Sequence, residues 1–315
     1  MTRKISVADL QKAVDEAYES LSSFSDGNVN LRNIGAEPGK FGIAVVLTDG
    51  TVITRGDTNV HTPVGAISAA PLMSLLFAQA SPMEILKQAG AGACACGCQK
   101  QQKPKDLGAC ARGLRAFSQL QPVGDADSKY NLFANRVADM AGADPQFNDK
   151  IYEAVTKEYE ESGLENKLAA DDFYLFDDAR IAIDMYNKSR ALEVSVEQLA
   201  VMGATIAADG VNPVTHTEVF DGALAQNVAG YMAAMSPHKM RLPWLTVAGL
   251  PAVSSYGGAV MGALPGTFGI AAYAPEVNDK GVSMKAARAI VAVMTRLGLS
   301  AFSSARATFV GVVFH

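Results

Sequence analysis

Apolar residues recur at helical spacing from Leu10 to Leu21 (Leu10, Val14, Ala17, Leu21), which predicts a first helix. After a polar loop through Gly35–Gly39, two β-rich runs, Phe41–Leu47 and Thr51–Thr54, flank Asp49-Gly50 and predict a hairpin. The pattern repeats near the other end, where Ala259–Leu264 and Thr267–Tyr273 flank Pro265-Gly266. A helix over about Ser283–Leu297 follows it. Between the hairpins the spacing turns helical over Phe147–Ser162, Ala179–Asn187 and Ser195–Ala208. Ser195 with Gln198 three residues on makes a capping-box signature. A hairpin towards each end with helices between predicts an α+β fold. One antiparallel sheet would be built from about 1–65 and 245–315, with a helical region over about 66–244, in one domain spanning 1–315.

Composition narrows the function classes. Hydrophobic residues make up 49% of the 315 and charged residues 19%, which suits a folded chain rather than a disordered one. The net charge of −5 lacks the concentrated basic footprint that nucleic acid requires, so no nucleic-acid partner is expected. The most hydrophobic stretch, Trp244–Pro275, is broken by Pro251, Pro265 and several glycines. It reads as buried strands and tight turns, not a membrane span. The start is amphipathic rather than signal-like, so a cytoplasmic location without membrane association is expected.

Several landmarks in order carry a resemblance. Leu199-Ala-Val-Met-Gly-Ala-Thr-Ile-Ala-Ala-Asp-Gly-Val-Asn-Pro-Val-Thr-His216 is the most specific of them. With it stand Pro38–Val46, Asp49-Gly50, Gly56-Asp57, Asn135-Arg136, Gly249-Leu-Pro251 and Leu264–Ile270. Together they resemble the serine-dependent glutaminases, over most of the chain and least from about 89 to 128. The resemblance implies a serine β-lactamase-like fold, amide hydrolysis of glutamine, and assembly as a dimer or tetramer.

The family's chemistry needs a Ser-x-x-Lys pair at a helix start, where one turn sets the amine beside the hydroxyl it activates. That motif falls here on Ala66-Ile-Ser-Ala69, so the nucleophile and base positions are both alanine. Ser68 lies on another helix face, and Pro71 stands one turn after it where a lysine would be needed. The Lys-Ser-Gly triad becomes Val253-Ser254-Ser255, and a glutamate meeting the ligand's amino group becomes Ser128. The pocket asparagine falls on Cys110 and the catalytic tyrosine near His238. Asn135 and Tyr186 remain as inherited ligand contacts, His238 as a hydrogen-bond donor to a ligand, and Tyr256 as a residue that crowds or fills the pocket. His61 would line the pocket, while His216 reads as a surface turn residue.

The cysteines add a separate signal. All 4 lie in one short segment, as Cys94, Cys96, Cys98 and Cys110. Four thiolates make a full ligand set for zinc or an iron–sulfur cluster, and small neighbours leave room for backbone amides near sulfur. A redox disulfide pair and inert buried thiols are the other readings. Three functions follow. The first is a non-hydrolytic derivative with a cysteine-ligated centre, iron–sulfur or zinc, near the former pocket. The second is a metal-free pseudoenzyme binding a protein partner or a small amino-acid-like ligand, and the third a residual amidohydrolase using Cys110. No nucleotide cofactor is expected.

Overall fold

The computed structural model describes residues 2–30, 33–88, 110–170, 174–237, 241–303 and 306–310. Both predicted hairpins form: Gly42–Leu47 pairs antiparallel with Val52–Gly56, and Ala259–Leu264 with Phe268–Tyr273. Gly42–Leu47 also pairs antiparallel with Phe268–Tyr273, Val45 opposite Ile270, which joins the two ends of the chain. The edge strand Ala252–Ser254 completes a five-stranded antiparallel sheet. The α+β expectation therefore holds.

Every residue of the three central strands is buried, so both sheet faces are covered. Strand alternation then divides the side chains between two cores. Ile43, Val45, Leu47, Phe268 and Ile270 pack with the terminal helices Val7–Leu21 and Met284–Leu297. Ala44, Val46, Ala263 and Ala271 face the other way, into the core around helix Val196–Ala207. Small residues here let the helix approach the sheet at backbone distance. A Cβ added to Gly269 would lie 2.0 Å from the Ala204 nitrogen, and one added to Gly203 2.5 Å from the Gly262 carbonyl oxygen.

Local signals fixed most element ends. Ser195 Oγ accepts from the Gln198 N–H (3.1 Å) while Gln198 Oε1 accepts from the Ser195 N–H (2.6 Å), the reciprocal cap expected for the central helix. The first helix starts at Val7, earlier than its apolar spacing indicates, because Ser6 and Asp9 form a second capping box. Phe147 belongs to a short strand, Gln146–Phe147, and the next helix starts at Asp149 because Asn148 caps it. The helix from Ala179 runs on to Ala191.

Three smaller sheets depart from the sequence pattern, one of them the antiparallel pair Asn28–Val29 with Glu276–Val277. Thr2–Ser6 pairs in parallel with Arg306–Val310. The middle of the chain is not purely helical either: Leu192–Ser195 lies between His61–Pro63 and Gln146–Phe147 in a three-stranded antiparallel sheet. Strands of two to four residues carry too little periodicity to be read from sequence.

Among the described residues no single helix is long and apolar enough to cross a membrane. One apolar pair, Gly65–Gln79 and Pro82–Gln88, meets that length and composition only together and is bent by 119°. Eight residues of Ala69–Gln79 are buried inside the protein.

Candidate functional site

Strand His61–Pro63 leads into a single 3₁₀ turn, Gly65–Ser68, and then into helix Ala69–Gln79. Ala66 is exposed on that turn and Ala69 half-buried at the helix start. A methyl group neither attacks a carbonyl nor takes a proton. Ser68 is 5% exposed and makes no side-chain capping bond.

The wall beside Ala66 comes from the loop after strand Ala252–Ser254. Ser255 Oγ donates to the Pro63 carbonyl (2.6 Å) and accepts from the Gly257 N–H (3.0 Å), which locks the loop against the 3₁₀ turn. Gly65 takes φ +52°, and a Cβ there would sit 3.0 Å from the Tyr256 ring. The ring therefore packs directly on the backbone preceding Ala66.

Tyr256 is one side of a filled stack. The Arg190 guanidinium lies over the Tyr256 ring (5.0 Å to the centroid) and over the Tyr186 ring (5.4 Å). Arg190 Nη1 donates to the Tyr159 hydroxyl (3.0 Å), and the Tyr256 hydroxyl donates to the Arg190 carbonyl (3.2 Å). Tyr186 and Arg190 are one turn apart on helix Ala179–Ala191, so the pairing is local. Cation–π contacts gain from desolvation, and Arg190 is only 6% exposed. On the far side, Tyr186 reaches helix Cys110–Gln119 at Gly113, where a Cβ would lie 2.5 Å from its ring. Tyr256, expected to crowd or fill the pocket, lies against Gly65 and Arg190. Arg190, Tyr159 and Gly113 are site residues that the sequence reading missed; only the i, i+4 spacing of Tyr186 and Arg190 hinted at them.

Other expected residues are not drawn into this cluster. Asn135 is exposed on helix Ala126–Ala141. Its neighbour Arg136 turns inward, donating to Ser74 Oγ (3.0 Å) and lying over the Phe220 ring (5.6 Å). Ser128 is a capping partner: its N–H and hydroxyl both donate to the N-cap Asp125 (2.9 and 2.8 Å). Next to it, fully buried Lys129 pairs with Asp177. His216 sits in an exposed turn at φ +58°. His61 is exposed on its strand, diagonal to Glu193 on the same sheet face. Burial pushes the Glu193 carboxyl above its ordinary value, against the opposing effects of an Asn148 hydrogen bond and of His61.

Cys94, Cys96, Cys98 and His238 lie outside the described residues, and Cys110 is described only as the first residue of its helix. Among the described residues no three His, Cys, Asp or Glu side chains are grouped to hold a metal ion.

A five-stranded antiparallel sheet with terminal helices on one face and a helical region on the other, reached by a 3₁₀ turn at the sheet edge, defines a serine β-lactamase-like α+β protein. The solved structure of the probable glutaminase ybaS superposes with a TM-score of 0.85 at 23% identity, covering 95% of this chain and all (100%) of that one. A probable glutaminase from Bacillus subtilis, complexed with 6-diazo-5-oxo-L-norleucine, gives a TM-score of 0.78 at 20% identity, over 94% of this chain and 96% of its own. The chain belongs to the glutaminase family: that family's model, described as Glutaminase, matches residues 32–302. A protein named glutaminase from Bacteroides thetaiotaomicron is 34% identical over 96% of this chain and 98% of its own length.

Proposed function

We propose that this glutaminase-family protein does not hydrolyse glutamine by a serine–lysine route. The observation that carries the reading is the Tyr186–Arg190–Tyr256 stack packed against the turn that holds Ala66. Hydrolysis needs an activated nucleophile and an open space beside it for the amide. Alanine at both motif positions removes the first, and the stack narrows the second by packing Tyr256 on the Gly65 backbone. Losing nucleophile activation costs several kcal/mol of barrier lowering, which simple binding does not replace.

The cysteine segment supports a second part of the reading, a metal or iron–sulfur centre near the former pocket. Cys94, Cys96, Cys98 and Cys110 supply the four thiolates that zinc or a cluster takes. Helix Cys110–Gln119 leads from the last of them to Gly113, which touches Tyr186. A bound centre would supply electron transfer or a structural clamp, and the protein would act in redox chemistry, sensing or a new catalysis. Self-association as a dimer or tetramer belongs to the same proposal.

Anaerobic purification, a visible spectrum, and iron, zinc and sulfide quantification test the metal, while ammonia release from glutamine tests the chemistry. The expected result is stoichiometric metal that falls in each Cys→Ala variant, with no ammonia. Colourless protein with four free thiols would remove the centre and leave a pseudoenzyme binding a partner or an amino acid. Iodoacetamide-sensitive ammonia release lost in Cys110→Ala would instead make Cys110 a nucleophile and overturn the reading.

A further inference from the structure

A cleft of about 380 Å³ lies between the loop 33–40 and the three-stranded sheet, and none of the stack residues lines it. Its floor follows from register. His61 pairs with Ser195 and Pro63 with Glu193, so His61 and Glu193 project from the same sheet face. Asn148, the N-cap of helix Asp149–Ser162, closes one end and hydrogen-bonds Glu193. Ile34, Ala36 and Val60 supply apolar wall.

The charges in this cleft are unevenly compensated. Lys40 is held by Asp57 (3.1 Å) and Glu37 (3.7 Å), so its charge is already matched by two carboxylates. Glu193 is the half-buried charge, and the neighbours that act on it are an amide and the exposed His61. Half-burying a carboxylate beside an exposed imidazole but in no ion pair with a lysine or arginine among the described residues is costly, and a ligand carrying a cation would relieve that cost. An ammonium group offers three donors to a carboxylate and its neighbouring oxygens. The apolar wall beside it suits a few methylene groups, and the cleft volume falls in the range of small-molecule sites.

We propose that this cleft binds a small primary alkylammonium, its nitrogen on Glu193 and its carbon chain along Ile34, Ala36 and Val60. The site is separate from the stack and does not depend on the reading of Ala66 and Ala69.

Calorimetric titration of the full chain with n-butylammonium, 1,4-diaminobutane and the neutral isostere n-butanol, near neutral pH, tests it. The amines should bind saturably and the alcohol should not. Glu193→Gln should weaken amine binding at least about tenfold, the loss expected for a charge-assisted hydrogen bond. Should Glu193→Gln fail to fold, His61→Lys sets a competing cation at an exposed position and should abolish amine binding. Equal binding of the alcohol, unchanged amine binding in either variant, or no amine binding up to about 10 mM would each overturn the proposal. So would amine binding that is lost in Tyr256→Ala and kept in Glu193→Gln.

Discussion

The interface between the central helix and the sheet and the wall beside Ala66 are built in opposite ways. At the first, side chains are absent: Gly203 and Gly269 let helix and strand backbones touch. At the second, side chains are added: Tyr256, Arg190, Tyr186 and Tyr159 fill the space next to the 3₁₀ turn. The first region carries the segment that most resembles the glutaminases, Leu199–His216, and the second holds the positions where the proposed function places replaced motif residues. Backbone contact tolerates no added atom, because neither partner can move without shifting a whole element. A pocket wall tolerates exchange of chemistry, because side chains that fill a cavity restore the packing they disturb.

The largest expected effect breaks the first region. Gly269→Val sets a side chain 2.0 Å from the Ala204 nitrogen, so the protein should fail to fold or lose more than about 5 kcal/mol in urea unfolding. Soluble protein with unchanged unfolding would show that the helix can lift from the sheet. The second region should be milder. Tyr256→Ala empties one side of the stack and should cost about 2 kcal/mol while the fold persists. With Ala66 and Ala69 still in place, the opened variant should release no ammonia from glutamine. Release at a family-like rate would show that the stack alone blocks hydrolysis.

Smaller changes sharpen the contrast. Ser195→Ala removes half of the capping box at the central helix and should cost about 1 kcal/mol by thermal or urea unfolding. The smallest effect is at the sheet edge, at Asp57. Burial alone would raise this carboxyl, but the Phe41 N–H and the Lys40 ammonium together hold it below its ordinary value of 3.8. Its contribution is therefore complete above that value and is lost as pH falls through the lower folded value. Asp57→Asn should flatten acid unfolding slightly and change neutral stability by less than about 1 kcal/mol. A steeper acid transition in the variant would contradict that sign.

Much of the fold was legible because its signals are local. Asp49-Gly50 and Pro265-Gly266 announce hairpins by turn chemistry, and Ser195 with Gln198 announces a helix start by side-chain reach. The candidate site enters from sequence only as an expectation of replacements at Ala66, Ala69, Val253 and Tyr256. What fills the space was not, because Tyr159, Arg190 and Tyr256 come from three separate segments.

The sequence by itself determined the family, the α+β class, and the principal hairpins and helices. These depend on residue identity, spacing and short-range hydrogen bonding, which one chain segment carries alone. Tertiary structure decided the backbone contact at Gly269, the cation–aromatic stack and the cleft over Glu193. Each of these is a meeting of distant segments, and what a residue buries there depends on the partner that covers it rather than on its own neighbours in sequence.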